Sequence, residues 1–276
     1  MTITTSDEFV AGPLRPPAPK IQIRRVTRRY GSGRRGARSV VALDDVSFDV
    51  SDGEFVSILG PSGCGKSTLL RIVGGLLAPS AGEVLIRRSG QDHPICATVF
   101  QEYSIFPWLT VEKNVRFGLH DSNRNTARND ELVARWINRV GLEGFADAYP
   151  NQLSGGMKQR VALARALVAE PEVLLMDEPF AALDAQLRRV LQQELLGITA
   201  ELNCTVIFVT HSIEEAILLS DRVVLMSARP GRLRSEMRID LGGNRTDRER
   251  DSSDFMNYDR LIWAQLKDEM DRVGER

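Results

Sequence analysis

Short apolar runs recur along the chain, each ending in a turn residue, an acid or a histidine, with stretches of helical periodicity between them. Residues 54–59 read Glu-Phe-Val-Ser-Ile-Leu between Gly53 and Gly60. Residues 173–176 are Val-Leu-Leu-Met, residues 205–210 Thr-Val-Ile-Phe-Val-Thr, and residues 223–226 Val-Val-Leu-Met. Apolar runs of this length bounded by turn signals predict strands buried on both faces. Residues 21–26 alternate instead, Ile-Gln-Ile-Arg-Arg-Val, which predicts a half-buried strand. Residues 40–43 and 46–50 read as a further pair of strand segments before a turn at Asp52 and Gly53, and residues 83–87 and 95–100 as two more strands. Leu69, Leu70 and Val73 fall at helical spacing, as do Leu132, Val133, Trp136, Ile137 and Val140. Alanine and leucine dominate residues 161–169 before Pro171, and residues 184–203 read as a long helix. Strands alternating with helices predict an α/β fold around a mostly parallel sheet, with a helical subdomain over about 101–155.

Composition narrows this picture. At 276 residues the chain suffices for one α/β domain. The domain is expected over 21–241, after a polar tail over 1–20 that carries Pro13, Pro16, Pro17 and Pro19 and is expected to be disordered. A short extension over 242–276 follows, in which residues 261–266 suggest a short amphipathic helix. A net charge of −1 argues against binding nucleic acid by bulk electrostatics. The seven arginines between Arg24 and Arg38 read as solvated strand faces and a loop, with contact to anionic lipid head groups as the alternative. No apolar run approaches the ~18 residues of a membrane span, and the N-terminal stretch lacks the apolar core of a signal peptide. Cys64, Cys96 and Cys204 are odd in number and show no C-x-x-C spacing, which points to a reducing compartment without disulfides or a zinc site.

The strongest chemical signal is Gly60-Pro61-Ser62-Gly63-Cys64-Gly65-Lys66-Ser67-Thr68. It has the spacing G-x-x-x-x-G-K-[ST] of a phosphate-binding loop, set between a predicted strand and a predicted helix as that motif requires. Glycines let successive N–H groups point inward at a helix N-terminus, which makes an anion nest. Lys66 is expected to reach the β- and γ-phosphates of a nucleotide, and the Ser67 hydroxyl to hold Mg²⁺. Asp177 and Glu178 follow directly on an apolar strand, where α/β sheets place their ligand crevice. One carboxylate there can serve the Mg²⁺ shell and the next can orient or deprotonate a water. Leu153-Ser154-Gly155-Gly156-Met157 opens the alanine-rich helix and offers a second set of N–H donors to an anion.

In this order, the phosphate loop, Gln101, Leu153-Ser154-Gly155-Gly156, residues 174–178, Ala182-Leu183-Asp184 and His211 resemble the ATPase subunit of an ABC transporter. The resemblance covers about residues 21–241. It implies an ABC-type nucleotide-binding fold with an N-terminal antiparallel β part, and ATP hydrolysis with Mg²⁺. It also implies that Tyr30 stacks on adenine, that Gln101 touches Mg²⁺ and senses a transmembrane partner, and that Asp177 serves the metal. Glu178 is then the catalytic base, His211 contacts the γ-phosphate, and Asp184 lies at a dimer contact. Members of the family form head-to-tail homodimers in which Ser154-Gly155-Gly156 of one subunit would close over ATP on the other. Met157 departs from the family's usual glutamine.

Phe106-Pro107-Trp108-Leu109-Thr110-Val111 and the stretch 226–231, Met-Ser-Ala-Arg-Pro-Gly, are similar to importers of nitrate, sulfonates, taurine and related compounds. That resemblance implies a peripheral protein on the cytoplasmic face of the cell membrane, working with permease subunits and an extracytoplasmic solute-binding protein. The alternative is a soluble ABC ATPase acting on nucleic acid or the ribosome; such proteins typically duplicate the cassette or carry long coiled coils, and here there is one phosphate loop and no sustained heptad. A P-loop kinase or regulatory module is the third class, and Ser154-Gly155-Gly156 and His211 count against it.

Overall fold

The computed structural model describes residues 18–31, 39–89, 94–119, 126–181, 183–241 and 250–274. Most of the proline-rich tail, most of the arginine-rich loop, Ala182 and residues 242–249 lie outside the described residues. Within the described part, Lys20 is buried, pairs with Glu172 and donates its backbone N–H to the Val50 carbonyl at 2.7 Å, so it belongs to the folded body.

Two sheets organise the molecule. Strands β1 (Ile21–Tyr30), β2 (Val40–Val50) and β4 (Ala81–Ile86) form an antiparallel sheet in the order β2-β1-β4. Strands β3 (Phe55–Leu59), β5 (Cys96–Val99), β6 (Val173–Asp177), β7 (Thr205–Val209), β8 (Arg222–Met226) and β9 (Leu233–Arg238) form the second, in the order β5-β6-β7-β3-β8-β9. Its first five members are parallel and β9 runs antiparallel at the edge. All five residues of β3, of β6 and of β7 are buried, as expected for parallel strands covered on both faces. The expected pair of segments over 40–50 is one continuous strand. Asp45 sits at φ 55, within a bulged pairing that shifts register without breaking β2.

Helix α1 (Lys66–Val73) lies in the core between the sheets. Its Leu69, Leu70, Ile72 and Val73 share one buried cluster with Ile58 of β3, Leu175 of β6, and Ile207 and Val209 of β7. The same cluster takes in Ile21, Ile23 and Val26 of β1 and Leu43, Val46 and Phe48 of β2, so the helix joins the two sheets.

A second cluster joins the other face of the parallel sheet to the helical part. There α2 (Val111–Arg116), α3 (Thr126–Arg139) and α4 (Gly155–Leu167) bury Val115, Val133, Trp136, Ile137, Val161 and Leu167 together with Leu174 and Met176 of β6. Full burial of a valine, leucine, isoleucine or methionine contributes about 1.5–3 kcal/mol. Helix α5 (Ala185–Glu201) covers the same face through Leu191, Leu195 and Ile198. The third cluster holds α6 (Ile213–Leu219) and α7 (Ser253–Gly274) against β8, through Ala216, Ile217, Phe255 and Ile262. The short amphipathic helix expected over 261–266 is thus the middle of a 22-residue helix. Among the described residues no helix is long and apolar enough to cross a membrane.

Candidate nucleotide site

The loop after β3 is shaped by backbone constraints. Gly65 has φ 106, and a Cβ there would sit 2.7 Å from Leu43 Cδ2 and 2.9 Å from the Ala42 carbonyl oxygen. Only glycine combines that conformation with that approach. Helices α2, α4, α5 and α6 begin with side-chain caps from Thr110, Ser154, Asp184 and Ser212, whereas α1 has none. Its first N–H groups are therefore left to a ligand, with the positive end of the helix dipole behind them.

A cavity of about 410 Å³ opens in front of this loop, lined by Tyr30, Val40, Ala42, Ser62, Gly63, Gly65, Lys66, Ser67, Thr68, Gln101, Glu178 and Arg229. Lys66 is buried, and its ammonium donates to the carbonyls of Gly60 at 2.8 Å and Pro61 at 3.2 Å. Cys64 is buried beneath the loop, and burial raises its thiol pKa against the opposing pull of Lys66. Burial likewise pushes Cys96 and Cys204 up to about 12, so all three cysteines are free, protonated thiols.

At the end of β6, Ser67 Oγ donates to Asp177 Oδ1 at 2.8 Å. Burial raises the Asp177 pKa; the Ser67 hydrogen bond opposes this, and the neighbouring Glu178 charge adds to it. Glu178 turns at φ 46, a left-handed conformation uncommon for a residue with a side chain, and its N–H is held by the Val209 carbonyl at 2.9 Å. His211 Nδ1 lies 3.0 Å from Glu178 Oε2. The parallel register places these groups together, since Asp177 pairs with Val209 and β3 lies beside β7. Tyr30 is 40% exposed, with the Arg28 guanidinium 4.8 Å from its ring centroid and its hydroxyl 3.5 Å from Thr68 Oγ1.

Other expected residues stand elsewhere. Ser154, Gly155 and Gly156 begin α4 and do not line the cavity; Ser154 Oγ accepts from Met157 N at 3.3 Å. Asp184 caps α5, accepting from Gln186 N at 3.1 Å and Leu187 N at 3.0 Å. Met157 packs against the helical cluster. Sequence reasoning passes over Arg229 as a cavity residue and Arg28 as the neighbour of the Tyr30 ring. The Arg-Pro-Gly stretch over 229–231 is a signal for the first; nothing local marks the second.

Beyond Gln101 in the chain, the rings of Phe106 and Trp108 lie 5.5 Å apart and those of Phe106 and Phe117 4.6 Å apart, with Arg165 5.5 Å from the Phe106 centroid. Trp108 is 69% exposed and Phe117 48%. Neither Trp108 nor Phe117 is drawn into the helical core.

An uncapped helix start facing a cavity, with two acids at the end of a parallel strand, defines a P-loop nucleoside triphosphatase. The ABC transporter family profile matches residues 43–181. The chain is 51% identical over 236 residues to an uncharacterized ABC transporter ATP-binding protein of Methanocaldococcus jannaschii, covering 84% of this chain and 86% of that one. It is 42% identical over 243 residues to a nitrate import ATP-binding protein of Synechocystis, covering 85% and 91%. It is 48% identical over 198 residues to an aliphatic sulfonates import ATP-binding protein of Bacillus cereus, covering 71% and 78%. A dimeric ATP-binding cassette in a post-hydrolysis state with ADP and Pi superposes with a TM-score of 0.70 at 33% identity, over 80% of this chain and 99% of that one. The chain belongs to the ATP-binding proteins of ABC transporters and is an ATPase.

Proposed function

We propose that this chain energises import of a small solute, nitrate, a sulfonate, taurine or a related compound, through a separate membrane permease. It works as a head-to-tail homodimer on the cytoplasmic face of the membrane, in a complex that includes an extracytoplasmic solute-binding protein. The observation that carries this is the separation of the two anion-binding helix starts: α1 faces its own cavity, and Ser154-Gly155-Gly156 does not. Two copies related by a twofold axis bring each α4 start over the other copy's cavity and make two equivalent sites. The likeness to nitrate and sulfonate import proteins supports the solute class. The exposed Trp108 and Phe117, with the half-buried Phe106 between them, support a groove for a permease helix.

In this reading Tyr30 stacks on adenine, while Lys66, Thr68 and the N–H groups of residues 62–68 cradle the phosphates. The hydroxyl of Ser67, the carboxylate of Asp177 and the amide oxygen of Gln101 are hard oxygen donors that fit Mg²⁺. When bound, Mg²⁺ neutralises charge on the phosphate oxygens. Glu178 accepts a proton from the water whose oxygen attacks the γ-phosphorus, the bond to the β–γ bridging oxygen breaks, and ADP and phosphate leave. His211 steadies the Glu178 carboxylate and faces the γ-phosphate. Glu178→Gln should lower turnover by about 10²–10⁴-fold and accumulate an ATP-bound dimer in size-exclusion chromatography. A variant that stays monomeric with ATP and hydrolyses it normally would sink both the base and the dimer.

A further inference from the structure

After β8 the chain makes a tight loop before β9. Ser227 N donates to the Arg232 carbonyl at 2.9 Å, and Arg232 N to Ser227 Oγ at 3.0 Å. Gly231 ties this loop to β2, donating to the Ala42 carbonyl at 2.9 Å and accepting from Asp44 N at 2.9 Å. A Cβ at 231 would overlap the Cys64 carbonyl oxygen, so the loop is wedged against the phosphate-binding loop itself. Arg229 is carried to the cavity by this arrangement. Its Nε donates to the Gly63 carbonyl at 3.2 Å, and its side chain lines the cavity with Lys66 and Thr68. Among the described residues no carboxylate pairs with Arg229, so its charge adds to that of Lys66 at a site shaped for a polyanion.

The other flank of the loop is held from the C-terminal helix. Ala228 N donates to Glu269 Oε2 at 3.1 Å, and Glu269 Oε1 lies 3.5 Å from Arg234 Nε on β9. Glu269 is buried, and α7 is anchored by Phe255 and Ile262.

We propose that Arg229 binds the triphosphate of ATP and that Glu269 is a positioning residue, through which α7 holds the 228–231 turn and sets nucleotide affinity. This rests on the reading that the cavity binds nucleotide, so Lys66→Ala is the control. Calorimetric titration of the full chain with ATP at several salt concentrations tests it. Arg229→Ala should weaken ATP binding about tenfold and flatten its salt dependence, with an unchanged unfolding midpoint in the absence of nucleotide. Glu269→Gln should weaken ATP binding about threefold in the native background and leave it unchanged in Arg229→Ala, because the pair is coupled. If Lys66→Ala also binds ATP normally, the nucleotide site is wrong. If Lys66→Ala fails to bind while Arg229→Ala matches the native chain, including a case in which only dimerisation suffers, the Arg229 assignment is overturned. An equal effect of Glu269→Gln in both backgrounds overturns the positioning role.

Discussion

Helix α1 starts behind a loop that lines a cavity of its own chain, without a side-chain cap; helix α4 starts behind Ser154, which caps it and lines no part of that cavity. Both starts present N–H groups and a positive dipole end to an anion. Around α1 the chain brings further groups to the same place: Ser67 bonds Asp177, and His211 meets Glu178. At α4 the Ser154 hydroxyl is engaged in its cap. The same device is therefore backed by a cavity and by side chains of its own chain in one place and not in the other, and under the proposed function the second start serves the cavity of a second subunit.

Two substitutions test that contrast and two more bound it from outside, from the largest effect to the smallest. Lys66→Ala should weaken ATP binding by up to about a hundredfold, since a lost charge-assisted contact is worth up to about 3 kcal/mol, and dimer closure should go with it; calorimetry and size-exclusion chromatography read both. Ser154→Ala should leave ATP affinity of the single chain within about twofold while turnover and the ATP-bound dimer are lost; its lost cap costs about 1 kcal/mol, seen as a lower urea midpoint. An equal loss of ATP affinity in the two variants would erase the distinction between the helix starts.

Trp108→Ala moves away from both. It should leave ATP binding intact and stability within about 0.5 kcal/mol, as for other exposed positions, yet, under the proposed function, weaken co-purification with the permease subunits. Unchanged co-purification would remove the aromatic patch from the docking surface.

Glu215→Gln probes the rear of the His211 loop. Glu215 is buried, and desolvation raises its pKa above the ordinary 4.5 despite hydrogen bonds from Thr210 and Gln192 and the nearby Arg188. The folded chain thus binds this proton more tightly than the unfolded chain. The resulting stability is fully present below pH 4.5 and is lost as pH rises through the folded value. In the variant, urea midpoints measured upward from pH 4.5 should fall less steeply; an identical slope would mean that Glu215 does not titrate in this window.

Much of the sheet is legible in the sequence because burial on both faces leaves a local mark. The runs ending at Leu59, Met176, Thr210 and Met226 form β3, β6, β7 and β8. Strand β9 escapes such a reading because it is an edge strand with no fully buried residue, and α6 because seven residues make too short a period. Helix α7 is longer than its pattern suggests because its outer face exposes Met256, Leu261 and Trp263, which blurs the apolar stripe.

By itself the sequence determined the phosphate loop, the acids behind it and the family, because each depends on residue types at fixed short spacing. Tertiary structure decided that Arg229 stands beside Gly63, 166 residues away, and that Ser154 does not. It also decided that Glu269 of the last helix reaches the turn carrying Arg229. Contacts between residues far apart in the chain depend on strand order and helix packing, which no local pattern encodes.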